Sequence, residues 1–192
     1  MQQITTSRHR NADPIKQDIS QYRIVAVIDN DTFIKEEQAV CKKNYGSRNN
    51  TENSTYISLA SFTAKEEMED TLLRWLRRIA DAEQAFSVVS NNFGFHPEGS
   101  IYLRILDASK LLNLKNHMQV LEPFIQSNTG KKVNWFKTAE VMIGTVEENM
   151  HREAAYHYAQ QSSAERLLIS HLYVQKKGDI DFTTICKLPM QP

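Results

Sequence analysis

The apolar residues of this chain change their spacing repeatedly, and the order of those changes constrains the fold more than any bulk property. "TYISLASF" (55–62) repeats every second residue: Ile57 and Leu59, with Ser61 after them, alternate with Tyr56, Ser58 and Ala60. Such a strand has two unlike faces, one for a core and one for a cleft. The next stretch, "TAKEEMEDTLLRWLRRIADA", switches to helical spacing, with Met68, Leu72, Trp75, Leu76 and Ile79 on one stripe. Thr63 and Glu66 read as its capping box. "QAFSVVSNNFGFHPEGSIYLRILDA" returns to strand patterns, and the turn formers in "HPEGS" predict a hairpin.

The same reading extends to both ends. "YRIVAVID" (22–29) is a buried strand, followed by a helix that Asp31 or Thr32 can cap and Gly46 can end. "SRNNTENS" (47–54) is a polar loop. "SKLLNLKNHMQVLEPFIQ" sets Leu111, Leu114, Met118, Leu121 and Ile125 on one side of a helix, with Pro123 expected to mark its end. "TGKKVNWFKTAEVMIGTV" holds a loop and a strand, and "EENMHREAAYHYAQQSSAE" a polar helix. "RLLISHLYVQKKG" and "DIDFTTICKLP" form a terminal hairpin turning at Gly178-Asp179. The order is β-α-β-α-β-β-α-β-α-β-β. It predicts an α+β fold with mixed or antiparallel sheets rather than a doubly wound one. A strand, a helix and a further strand recur in each half. Residues 1–20 read as a polar arm and 21–192 as a single bilobal domain.

Composition excludes several classes. The chain has 192 residues, 41% of them apolar, which is enough for a sizeable core. Lys plus Arg and Asp plus Glu both number 23, so no global positive charge advertises a nucleic-acid track. "RWLRR" (74–78) and the Lys-Lys pairs at 131–132 and 176–177 read as solvated faces. Cys41 and Cys186 lack metal or redox spacing and read as thiols in a reducing compartment. No apolar run reaches the ~20 residues of a membrane span. A cytoplasmic protein is expected, with no metal and no cofactor. His151 and His157 stand six apart, not at the i, i+4 spacing of a zinc helix. Gly-rich phosphate loops and nucleophile elbows are lacking.

The element order, with "YISLASF" after the first helix and "EVMIGTV" later in the chain, resembles the two-histidine (2H) phosphoesterases over about residues 22–188. That superfamily includes 2′-5′ RNA ligase-like proteins and cyclic phosphodiesterases. The resemblance implies two pseudo-symmetric lobes around a central cleft, with helices on the outer faces. It also implies one H-x-T or H-x-S strand from each lobe. At those positions this sequence reads Tyr56-Ile57-Ser58 and Glu140-Val141-Met142. None of the six histidines has Ser or Thr two residues later. Ser58 alone keeps the family's residue type.

In the family, one imidazole takes a proton from the attacking oxygen and the other protonates the leaving oxygen, while the hydroxyls bind phosphate. Imidazole suits both tasks because its charge changes near neutral pH. A phenol is a poor base, since its ordinary pKa is about 10. A carboxylate at the second position would repel a phosphate ~4 Å away by about 4 kcal/mol at an effective dielectric near 20. That is roughly a thousandfold in affinity. Met142 cannot donate a hydrogen bond. Three readings follow: a binding module for a nucleotide or RNA end, different chemistry by Tyr56 and Glu140, or phosphoester cleavage by other residues.

Two further pairs are candidates. Tyr102 and Arg104 alternate in "IYLRIL", where an aromatic ring and a guanidinium could stack a base and hold a phosphate. His171 and Tyr173 share a face of the last hairpin, where His171 could serve as a surrogate acid or base. Trp75 is assigned to the core stripe of its helix, Trp135 to the rim of the cleft, and His96 to a turn before Pro97.

Overall fold

A computed structural model describes residues 18–46 and 55–192. Its elements are β1 (Ile19–Ile28), α1 (Thr32–Tyr45), β2 (Tyr56–Lys65), α2 (Glu69–Ala82), β3 (Phe86–Phe95), β4 (Ser100–Ile105), α3 (Ser109–Met118), α4 (Glu122–Thr129), β5 (Asn134–Trp135), β6 (Glu140–Thr145), α5 (His151–Ala159), β7 (Arg166–Lys177) and β8 (Phe182–Pro189). This is the expected α+β order, with the short β5 added and the single helix expected from Ser109 onward divided into α3 and α4 by a 3-10 turn (Gln119–Leu121). The expected N-terminal arm and the 47–54 loop lie largely or wholly outside the described residues. β1 begins at Ile19, ahead of its expected start.

All pairings between these strands are antiparallel, and the hydrogen-bonded path closes on itself: β1–β2–β6–β4–β3–β7 and back to β1. β7 serves two neighbours along one edge. Its residues 166–169 pair with β3, and from His171 onward it pairs with β8. β1 runs along its other edge. One half therefore holds β2, β1, β7 and β8, and the other holds β6, β4 and β3. Among the described residues, the halves also meet at a single β2–β6 rung, Ile57 opposite Val141.

The core forms where each strand's apolar row meets its helices. Leu72, Leu76 and Ala80 of α2 are buried at a spacing of four, and α2 lies against β7 and β8. α1 buries Ile34, Cys41 and Tyr45 beside β6, and α5 buries Ala154 and Tyr158 beside β3. Leu111, Leu114, Met118, Leu121 and Ile125 form the expected continuous buried line. Gly46 ends α1 at φ 62°, and its N–H donates to the Lys42 carbonyl. No helix among the described residues is long and apolar enough to cross a membrane.

Four local expectations are corrected. The Thr63–Glu66 capping box does not form, because β2 continues through Lys65 and a short 3-10 turn (Glu66–Met68) precedes α2. Glu66 instead accepts hydrogen bonds from Lys176 Nζ (2.8 Å) and Ser20 Oγ (2.6 Å), which hold its carboxyl below the usual carboxylate range. Trp75 is 46% exposed rather than in the core, with Arg78 5.7 Å over its ring. The buried spacing of four simply passes it by. Pro123 does not end a helix but sits in the first turn of α4, where its missing N–H costs nothing. Finally, strict alternation in β2 breaks after Ser58. Ile24 pairs with Ala60 and Val25 with Ser58, so Leu59 is an extra, bulged residue. Leu59 and Ala60 are both buried, and the core row moves to Phe62 and Ala64.

Candidate functional site

The site is built on β2 and β6. In β2 the triplet Tyr56-Ile57-Ser58 is followed by the bulged Leu59. In β6 the triplet Glu140-Val141-Met142 is followed by a second bulge. Tyr102 pairs with Met142 and Ile101 with Gly144, so Ile143 is the extra residue. The middle residues, Ile57 and Val141, are opposite one another and are 0% and 1% exposed. The flanking residues of both triplets therefore point to the other face. A bulge directly after each triplet stops the outward row and turns the following residues into the core.

On that face the four side chains singled out in the sequence come together. Tyr56, Ser58, Glu140 and Met142, with Arg23, Gln38 and Thr55, line a cavity of about 280 Å³. A second cavity, of about 400 Å³, is bounded by Ser58, Trp135, Phe136, Lys137 and Glu140 among others. A third, of about 320 Å³, is lined by His96, Tyr102, Arg104, Lys137, Thr138 and Glu140, with Ile105, Ala108 and Ala139. Glu140 belongs to all three, so they form one groove with the carboxylate at its centre.

Neighbouring elements fix this groove. The Gln38 side chain of α1 donates to the Met142 carbonyl at 2.9 Å. Arg23 of β1 lies across the Tyr56 ring, 4.9 Å from its centroid, and 4.2 Å over Phe182. Its Nε donates to the carbonyl oxygen of the fully buried Gln175 side chain. Arg23 is thus spent on aromatic faces and a buried amide. The 134–138 segment rides on β2: Trp135 pairs with Ala60, and the Phe136 N–H donates to the carbonyl of the bulged Leu59 at 3.0 Å. The Trp135 indole donates to Glu122 at 2.9 Å, placing the ring at the groove rim.

The sequence candidates divide. Tyr102 and Arg104 pair with Met142 and Glu140 and face the groove. His171 and Tyr173 do not line these cavities. His171 is two strands from Tyr56, with Val27 between them, and its Nδ1 lies 2.6 Å from Ser170 Oγ and 3.5 Å from Asp29. Tyr173 lies beneath Lys187, 5.1 Å from its ring centroid.

Arg23, Gln38, Lys137 and His96 are among the groove residues that sequence reasoning did not place there. His96 Nε2 is 3.3 Å from Glu140 Oε1, and its ring stacks on Tyr102 with centroids 4.3 Å apart. Gly94 makes room for that stack, since a Cβ there would come within 2.2 Å of the Tyr102 ring. A glycine inside a strand pattern, two residues before a histidine, is the signal that could have placed His96 beside its cross-strand tyrosine. Among the described residues, no group of three or more His, Cys, Asp or Glu side chains is arranged to hold a metal ion.

This overall fold recurs in solved structures. LigT of E. coli in its apo form matches with a TM-score of 0.62 at 13% identity, covering 90% of this chain and 99% of that one. The chain has the LigT-like fold of the 2H phosphoesterases. TT0787 of Thermus thermophilus matches with a TM-score of 0.58 at 12% identity, over 88% of this chain and 98% of that one. Usb1 of Kluyveromyces marxianus matches at 0.52 and 12%, over 92% and 100%. No family model matches the sequence, and no curated protein does. LigT has also been solved with 3′-AMP, with ATP and with NADP+. The 2H-like fold is therefore carried by a sequence far from those of its structural neighbours.

Proposed function

We propose that this chain binds a nucleotide, an RNA end or another small phosphate-bearing ligand in its central groove, without the two-histidine phosphodiesterase mechanism. One observation carries this reading. The four motif-equivalent side chains still converge on one cavity, but they are a phenol, a hydroxyl, a carboxylate and a thioether. The frame for holding a phosphodiester is kept and both of its proton shuttles are replaced. The LigT complexes with 3′-AMP, ATP and NADP+ support nucleotides as the ligand class.

The test is binding and turnover side by side. Thermal unfolding with 3′-AMP or ATP should shift upward, reaching about 2.7 kcal/mol of stabilisation at a hundredfold excess over Kd. Incubation with nucleoside 2′,3′-cyclic phosphates and 2′-5′-linked dinucleotides should give no product. A second reading, altered acid–base chemistry, is favoured by His96 standing against Glu140. Product formation that disappears in Glu140→Gln would select it and overturn the binding-only reading.

A further inference from the structure

Glu140 poses a problem for any phosphate in this groove, and the structure contains an answer. A carboxylate between two cations ordinarily forms ion pairs with them. Arg104 is Glu140's direct cross-strand neighbour, and Lys137 lines two of the cavities that open on it. Yet the Glu140 contact is with His96, whose ring is fixed by stacking on Tyr102. Neither Arg104 nor Lys137 makes a side-chain hydrogen bond or an ion pair with any of the described residues. Arg23, by contrast, is engaged with Gln175, Tyr56 and Phe182.

We propose that the ligand's anionic group is held in the β4-side cavity by Arg104 and Lys137, and that His96 is the group that keeps the Glu140 carboxylate from competing for them. The phosphate site is then displaced from the motif positions toward β4. The guanidinium offers two parallel donors to phosphate oxygens, and the ammonium adds a point charge. His96 acts as a positioning residue: its ring nitrogen ties up a Glu140 oxygen. The ligand class is a phosphomonoester or phosphodiester small enough for a cavity of about 320 Å³. This inference rests on the nucleotide-binding reading above.

The experiment is titration calorimetry with 3′-AMP and, separately, inorganic phosphate, at low salt, with the fold of each variant checked by circular dichroism. Arg104→Gln and Lys137→Gln should each weaken 3′-AMP binding by about tenfold or more. His96→Asn should also weaken it, and adding Glu140→Gln to that variant should restore binding. Rescue of that kind is expected of a group that occupies the Glu140 carboxylate and not of a merely structural histidine. His171→Ala should bind as the parent does. Binding that survives Arg104→Gln and Lys137→Gln within about twofold, or a loss confined to Arg23→Gln, would overturn the displaced site while leaving nucleotide binding intact. Absence of binding by the parent protein to both probes would overturn both readings.

Discussion

The two motif strands share a backbone and differ in what surrounds them. Each carries a triplet, then a bulge, and the middle residues of the triplets meet as the β2–β6 rung. Beside the first triplet, β1 places Val25 and Val27 opposite Ser58 and Tyr56, and both valines are buried. Beside the second, β4 places Tyr102 and Arg104 opposite Met142 and Glu140. Across their ladders, then, the first triplet is flanked by buried valines and the second by a phenol and a guanidinium. The frame stands without histidine at either triplet. The two flanks also hold their cations differently: Arg23 beside the first triplet is engaged by Tyr56, Phe182 and Gln175, whereas Arg104 beside the second lines an open cavity.

That contrast can be broken in several ways. The largest effect is expected at the rung itself. Ile57→Ala should cost about 3–4 kcal/mol and Val141→Ala about 2 kcal/mol by denaturant unfolding, because both are fully enclosed where the halves meet. If one were silent, the rung would not be a shared support. Next in size is placing the two-histidine pattern on these strands. The triple variant Tyr56→His, Glu140→His, Met142→Thr should gain hydrolysis of nucleoside 2′,3′-cyclic phosphates by on the order of a hundredfold over the parent, the low end of general acid–base effects. Either histidine alone should not suffice. A triple variant that binds nucleotide and stays inert would show that the frame is no longer competent.

A smaller effect lies in alkali. Tyr22 of β1 has its phenol pushed up to about 12 by burial first and then by its hydrogen bond to Glu69 (2.9 Å). Its folded value stands above the ordinary 10, so its contribution to stability is complete below pH 10 and is lost as the pH rises through about 12. Tyr22→Phe should flatten that part of the alkaline unfolding curve. Burial also raises Tyr158 in the other half, with the same sign. The smallest effect is expected for Trp75→Ala, within about 0.5 kcal/mol, since the residue is nearly half exposed and lies outside the buried stripe of α2. Leu76→Ala one residue away should cost several times more, about 2–3 kcal/mol.

Element order was legible because it depends on spacing within short windows. The stripe from Leu111 to Ile125, the αL end of α1 at Gly46 and the last hairpin all follow from local pattern. The bulges at Leu59 and Ile143 were not legible. A bulged leucine or isoleucine has the composition of any strand residue, and only the partner strand's register exposes it. The failed capping box has a similar cause: sheet pairing with β1 kept residues 63–65 extended against a good local helix-start signal. In the groove, Tyr56, Ser58, Glu140 and Met142 could be located from strand context. For His96 only its stack on Tyr102 had a local signal, in Gly94; its reach to Glu140 spans 44 residues of sequence. Arg23 meets Gln175 across 152. Contacts of that range leave little trace in the local pattern.

The way β7 is shared has a consequence for how this molecule can be taken apart. Its first four residues complete one half and the remainder complete the other. Expressing either half alone would strand a bare, hydrogen-bond-hungry margin of sheet, and such margins recruit other chains. The pseudo-repeat is therefore not modular. Fragments from a cut on either side of β7 should clump, whereas mixing the two complementary pieces during refolding should give back a soluble particle.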